Sequence, residues 1–182
     1  IRCLGDAAVE LYHNNVKKFE TLSNGVRAQG GILFGSDTAT ANLLYDYEEG
    51  TWTPTWYGSS SGSGTTFSTS SNYATYVKIG KIIHVRAWAV FTNKNSATGN
   101  FYMGGLPFSN NGSYNVTSNI RIDNYASGGD YNGEHATVYF ADGSTVTYWQ
   151  HQDDDGTVMN IDVDDINANA NIMFNATYED WA

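Results

Sequence analysis

Hydrophobic and polar residues alternate with a period of two along much of the chain, which predicts β-strands with one buried face. The clearest case is segment 81–91, in which one face is wholly apolar: Ile83, Val85, Ala87, Ala89 and Phe91. The opposite face is mixed: Ile82, His84, Arg86, Trp88 and Val90. We expect the first face to enter a core. The second is either a subunit contact through His84, Arg86 and Trp88, or a solvated outer surface.

The same pattern recurs in short segments through the second part of the chain. Turn signals such as Gly80, Asp142-Gly143 and Asp155-Gly156 separate them. Strands are predicted at 73–79, 81–91, 101–106, 114–122, 135–141, 144–150, 158–163 and 170–178. Many short strands at this spacing indicate an all-β protein with a β-sandwich, of jelly-roll-like architecture.

In residues 1–44 the alternating pattern contains fewer apolar positions. Asn14-Asn15, Asn24-Gly25 and Gly30-Gly31 mark hairpin turns between short strands that carry few apolar residues. One copy alone would bury too little surface to offset the entropy of ordering it. We therefore predict a short intertwined β stalk over residues 1–50, shared by three identical chains, and a head over residues 51–182.

The segment 45–56 lies between these two parts. Gly50 and Pro54 interrupt it, which is typical of a junction and not of the middle of a regular element. It also holds two of the five tryptophans, Trp52 and Trp56. We expect both indoles to pack under the base of the head, at a subunit contact where the chains leave the stalk.

The composition of the chain limits the kinds of molecule that it can bind. The formal net charge of -10 makes nucleic acid and anionic membrane surfaces poor partners. No apolar run approaches the roughly 18–20 residues needed to cross a bilayer, so membrane insertion is not expected. The single Cys3 rules out an intrachain disulfide framework.

Charges are ordered along the head. Between residues 51 and 121 every charge is positive: Lys78, Lys81, Arg86, Lys94 and Arg121. From residue 122 onward there are twelve carboxylates and no Lys or Arg. We predict that basic and acidic strands interleave in one sandwich, or meet across subunits, and that Arg86 and Arg121 lie near carboxylates.

The sequence contains only weak matches to known catalytic motifs. The segment 58–62 matches G-x-S-x-G but lies in a Ser/Gly run without the strand and helix of a nucleophile elbow. Paired carboxylates could serve a glycosidase, but none of the many pairs stands out. We expect no catalytic residues, and therefore no enzyme.

One acidic segment resembles part of a calcium loop. With Gly156 in the sixth position, Asp153 and Asp155 fall at ligand positions, but His151 takes the first position and Asp162 replaces the final Glu. We expect no cofactor. Calcium near Asp153, Asp155 and Asp162 stays open beside the simpler interpretation, a turn with solvated carboxylates.

Two loops have a composition suited to sugars. The segment 123–133 interleaves tyrosines with polar side chains, and 109–115 is similar. Aromatic faces can cover the C–H face of a sugar, while carboxylates and amides bind its hydroxyls. The candidate residues are Tyr114, Asp123, Tyr125, Asp130, Tyr131 and Asn132. The alternative is that Asn, Asp and Gly only make turns and Tyr packs at the sheet edge.

Five blocks, spread over nearly the whole chain, resemble the C-terminal part of a bacteriophage tail fibre of the marine-phage type. They are VELYHNNVKKFETLSNGV at 9–26, EEGTWTP at 48–54, YVKIGK at 76–81, GGLPF at 104–108 and FNATY at 174–178. The resemblance implies a homotrimeric virion fibre, made in the host cytoplasm, whose distal head contacts a host surface glycan or other receptor. It implies no catalytic residues. Two alternatives stay open, namely a purely structural virion fibre or trimerisation module, and a polysaccharide depolymerase.

Overall fold

A computed structural model describes residues 8–61, 65–125, 136–152 and 155–181. The chain divides into two compact units, Ile1–Tyr47 and Glu48–Ala182. Regular structure is almost entirely β, with two 3-10 turns, Thr40–Asn42 and Val163–Asp165, which confirms the predicted all-β class. No helix within the described ranges has the length and apolarity needed to cross a bilayer.

The first unit contains a three-stranded antiparallel meander. Its strands are β1 Glu10–His13, β2 Val16–Leu22 and β3 Gly25–Ala28, in the order β1-β2-β3. Asn14 and Asn15 join β1 to β2 with φ angles of 49° and 63°. Both central residues of a type I′ turn need positive φ, which Asn adopts more readily than most residues. The hairpin predicted from Asn-Asn is therefore present.

This first unit has little core of its own. Glu20 is the one buried side chain among its described residues. Its exposed large hydrophobic residues are Leu11, Tyr12, Val16, Leu22, Val26, Ile32, Leu33, Phe34, Leu44, Tyr45 and Tyr47. The buried hydrophobic cluster of the chain begins only at Trp52.

The remaining strands form one large sheet. They are β4 Tyr47–Trp52, β5 Thr55–Gly58, β6 Ser68–Ile79, β7 Ile82–Asn93, β8 Phe101–Gly104, β9 Val116–Tyr125, β10 Ala136–Phe140, β11 Thr147–Gln152, β12 Val158–Asn160 and β13 Ile166–Glu179. Each of the eight strands predicted for the head overlaps one of β6 to β13. The strands β4 and β5 were not predicted.

The strand order is β4-β6-β7-β13-β9-β10-β11-β8-β5, with β12 paired to β11. The two edge strands, β4 and β5, follow each other in sequence with only Thr53 and Pro54 between them. A sheet whose opposite edges are joined by two residues must curl back on itself. The segment 45–56, expected to be a junction and not the middle of a regular element, holds β4 and the start of β5, and the division between the two units falls within it after Tyr47. Pro54 interrupts it only locally, since a residue without an N–H is tolerated between strands, and the predicted boundary at residue 50 lies inside β4.

Curling brings distant strands face to face around an aromatic core. The Trp56 ring on β5 lies 5.3 Å from Phe91 on β7, 5.8 Å from Phe101 and 5.5 Å from Trp149, measured between ring centroids. Trp149 also contacts Phe174 on β13, at 5.5 Å. The inward face predicted for segment 81–91 is confirmed, because its five apolar residues are at most 7% exposed.

The longest strand, β13, lies between β7 and β9 and is antiparallel to both. It belongs to the acidic part of the sequence, whereas β7 and β9 carry basic residues. Among the described residues, the ion pairs Lys78–Asp180 and Lys94–Asp164 join the two parts, and Arg121–Asp123 lies within β9. As predicted, a strand from the acidic part of the sequence therefore lies between strands from the basic part within a single chain.

Candidate functional site

The second unit has a concave surface of about 590 Å³ on the outer face of β6, β7, β13 and β9. We call it the outer groove. Its outward-pointing lining comes from two rows of side chains that run across the strands: Tyr73, Trp88, Met173 and Arg121 in one row, and Thr75, Arg86, Asn175 and Asn119 in the other.

Strand register places these residues together. On β7, Arg86 and Trp88 alternate with the buried Val85, Ala87 and Ala89, so both point away from the core. Trp88 is paired with Tyr73 on β6 and with Met173 on β13. Met173 is in turn paired with Arg121 on β9. Residues from four strands, far apart in sequence, therefore share one exposed surface.

Two aromatic rings stack within the first row. The centroids of Tyr73 and Trp88 are 5.6 Å apart and their planes differ by 18°. Tyr73 is 65% exposed and Trp88 is 39% exposed, so much of this apolar surface faces solvent. The Trp88 Nε1 donates a hydrogen bond of 2.7 Å to Oδ1 of Asn171, which holds the indole in one orientation. We call Tyr73 and Trp88 the aromatic pair.

Both arginines of the outer groove point outward and are exposed. The Arg121 Nε donates a hydrogen bond of 2.9 Å to Asp123 Oδ1, and this bond raises the pKa of the guanidinium. Arg86 also lines a neighbouring cleft of about 440 Å³ together with His84 and Glu49. Arg121 thus contacts a carboxylate as predicted, and Arg86 shares a cleft with one.

The five residues predicted for a subunit contact separate into two groups. His84, Arg86 and Trp88 are on the outer face of β7, and the His84 ring Nδ1 is 3.1 Å from Thr177 Oγ1. Trp52 and Trp56 are instead buried inside the core of one chain, at 9% and 1% exposure. Trp56 therefore has almost no surface left for a second chain, because the curled sheet already encloses it.

The predicted sugar-binding residues do not form one cluster. Asp123 lies next to the outer groove through its bond to Arg121. Tyr125 packs against the hydrophobic core. Just before it, Asn124 has a φ of 59°, which breaks the regular in–out alternation of β9. Tyr114 is exposed and hydrogen-bonded to Glu179, which raises the pKa of its hydroxyl. The other three candidates, Asp130, Tyr131 and Asn132, lie outside the described residues.

The acidic residues considered for calcium make local backbone contacts. The Asp162 side chain accepts a 2.8 Å hydrogen bond from the N–H of Asp164. The Asp165 side chain accepts a 2.9 Å hydrogen bond from the N–H of Asp162, which completes a capping box. Asp155 accepts a 2.9 Å bond from the N–H of Thr157 within a turn. Asp153 lies outside the described residues. Within the described ranges, no three His, Cys, Asp or Glu side chains are grouped so as to hold a metal ion.

Sequence reasoning missed Tyr73, because its partner Trp88 is identified only by the register of β6 against β7. It also missed a second aromatic feature on the outer face of β5, β8, β11 and β10. Four tyrosines, one per strand, lie in a single row: Tyr57, Tyr102, Tyr148 and Tyr139. Their rings meet edge to face, at centroid distances of 4.9 to 6.0 Å. Each ring edge covers a neighbouring face, so this row offers less free aromatic surface than the aromatic pair.

Comparisons of the chain with protein-family models, with curated proteins and with solved structures find no match.

Proposed function

We propose that the chain is the distal tip of a bacteriophage tail fibre, which attaches the phage to its host through multivalent recognition of a cell-surface glycan. In this proposal residues 1–50 end a shared trimeric stalk, and the head is a jelly-roll-like β-sandwich exposed at the end of the virion. The protein acts by binding and not by catalysis.

The observation that carries this proposal is the outer groove with its aromatic pair. Exposed, near-parallel rings give the apolar surface that the C–H face of a sugar requires. Asn119 and Asn175 supply amide donors and acceptors beside the rings, and Arg86 and Arg121 supply further donors. A concave surface with a few convergent polar groups is the usual form of a small-ligand site.

The first unit supports the trimeric part of the proposal. A unit with eleven exposed large hydrophobic residues gains free energy if identical chains cover them. Trimeric assembly would also place three copies of the outer groove on one fibre. Three weak sites acting together bind a repetitive glycan far more tightly than one site alone.

The second candidate function is a purely structural fibre or trimerisation module, which the same exposed hydrophobic residues favour. The two candidates differ in whether the head binds anything outside the virion. The third, a depolymerase, gains nothing from the outer groove, which has no carboxylate among its lining residues.

A glycan array probed with the purified protein, followed by binding of labelled protein to bacterial cells, tests the proposal. We expect saccharide binding that is lost in Trp88→Ala and kept in Trp181→Ala, an exposed tryptophan outside the groove. Solution mass tests the trimer, and a mass near the 19.9 kDa of one chain contradicts it. Absence of saccharide and cell binding by an assembled protein would leave the structural module as the better explanation.

A further inference from the structure

The outer groove is basic in a chain that is strongly acidic. The formal net charge is -10 with nine Lys and Arg in total, yet two of these nine line this one groove and no Asp or Glu does. Two carboxylates lie beside the lining: Asp123 bonds to Arg121, and Glu49 shares a neighbouring cleft with Arg86. The charged side chains of the lining itself are positive, whereas the whole chain is negative.

Arg86 is the better placed of the two cations. The ion pairs of the described head residues use Lys78, Lys94 and Arg121, and Arg86 takes part in none of them. It is two residues from Trp88 on the outward face of β7, which is roughly 7 Å along the strand. A sugar ring that stacks on the aromatic pair would therefore carry its substituents within reach of the Arg86 guanidinium.

Arg121 approaches the same surface from the other side. Its Nε is engaged by Asp123, but the two terminal nitrogens of a guanidinium retain donors for a second acceptor. Between Arg121 and the aromatic pair lies the side chain of Met173, an apolar floor on β13. Two cations thus flank an apolar platform.

On this basis we propose that the outer groove selects saccharides that carry an oxyanion, a carboxylate or a sulfate, over neutral ones. Arg86 is the residue that contacts the anionic group, and the aromatic pair binds the sugar ring. This inference rests on the proposed function, because it specifies the class of glycan that the tip recognises.

A second copy of the chain is the competing occupant, since its acidic strands also offer carboxylates. Two features favour a saccharide. The surface is concave, and besides the two arginines its polar lining includes the amides of Asn119 and Asn175 and the hydroxyl of Thr75, which match sugar hydroxyls.

Titration calorimetry with the intact protein tests the inference with three probes: galacturonate oligosaccharides, sulfated carrageenan oligosaccharides and neutral dextran oligosaccharides. We expect one or both charged probes to bind more tightly than dextran, and their binding to weaken as salt is raised. The difference between the first two probes shows which oxyanion is preferred.

Four variants test whether the saccharide binds in the outer groove. We expect Arg86→Gln to weaken binding of the charged probe about tenfold or more, from loss of a charged hydrogen bond. Trp88→Ala should weaken binding of every probe. Lys94→Gln removes the same charge outside the groove, and Trp181→Ala removes an exposed indole outside it, so both should bind as the parent does. Melting temperatures of all four verify that they fold.

Several results would overturn the inference. If dextran binds as well as the charged probes and Arg86→Gln has no effect, selection for an oxyanion is wrong while the proposed glycan-binding function stands. If these probes, the glycan array and the bacterial cells all show no binding, both are wrong. If Arg86→Gln or Trp88→Ala lowers the solution mass of the assembly, this face is a contact between copies of the chain and not a saccharide site.

Discussion

The indole of Trp56 donates a hydrogen bond from Nε1 to Oδ1 of Asn72, 3.2 Å away. The side-chain amide of Asn72 in turn donates to the carbonyl oxygen of Pro54 at 2.9 Å. One polar side chain on β6 thus satisfies both the buried indole and the backbone that joins the two sheet edges. These two hydrogen bonds lie at Pro54, where the chain passes from one edge strand of the curled sheet, β4, to the other, β5.

Asn72→Ala should lower the free energy of unfolding by about 1–3 kcal/mol, because it leaves the Trp56 N–H and the Pro54 carbonyl without their partner. Chemical denaturation monitored by tryptophan fluorescence measures the change, since all five tryptophans are in the second unit. Asn119→Ala, the same substitution at an exposed position of β9, is the control and should be nearly neutral. An equal effect of both variants would show that the Asn72 bonds do not stabilise the closure.

Trp56→Ala should destabilise the head far more than Trp88→Ala. Removing an indole that is 1% exposed leaves a large cavity, for which losses of about 3–5 kcal/mol are typical. Trp88 lies on the outer face and is 39% exposed, so its loss costs much less. Thermal melting and solution mass, measured on both variants, separate the two roles. A Trp56→Ala protein that melts normally but dissociates would restore the subunit contact expected from the sequence.

Local patterns were enough to predict most strands. The alternation of Ile83, Val85 and Ala87 identified the inward face of β7 before any register was known. Gly80 located the turn between β6 and β7, and Asn14-Asn15 located the turn between β1 and β2. These features depend on neighbours in sequence, so the sequence alone was sufficient for them.

Features that depend on long-range register could not be predicted in the same way. Nothing local indicates that Tyr73 is opposite Trp88, or that β13 lies between β7 and β9. The charge order did predict that a strand of the acidic part lies beside strands of the basic part, because it depends on the sign of charge over long stretches of sequence and not on register. Residue composition alone gave the wrong environment for Tyr125. The polar, loop-like sequence around it suggested a sugar site, but its ring packs against the core.

Gly58→Ala should strongly impair folding of the head. A Cβ at Gly58 would lie 2.1 Å from the carbonyl oxygen and 2.6 Å from the nitrogen of Thr98, and backbone atoms cannot move aside as a side chain can. Gly104→Ala is a matched control within the same sheet, because its nearest atom is 3.3 Å away on the Tyr57 ring. Soluble yield and melting temperature should fall much further for Gly58→Ala. Similar values for the two variants would contradict the close approach of β5 to Thr98.

Acid should loosen the first unit through Glu10 and Glu20. Hydrogen bonds from Lys17, at 2.5 Å to Glu10 and 2.7 Å to Glu20, lower the pKa of both carboxyls below their ordinary value of 4.5. A lowered folded-state pKa means stability that is present above about pH 4.5 and is lost as the pH falls through the folded values. Lys17 has a raised pKa, so its contribution is lost only at strongly alkaline pH.

Amide NMR spectra of β1 to β3 at neutral and acid pH measure this effect on the intact protein. We expect their signals to shift or broaden below about pH 4.5, while the buried aromatic core around Trp149 stays unchanged over the same range. Lys17→Gln is the control, because it removes the cation that both carboxylates share, and its acid response should be clearly smaller. An unchanged acid response in Lys17→Gln would mean that groups other than this charge cluster make the first unit sensitive to acid.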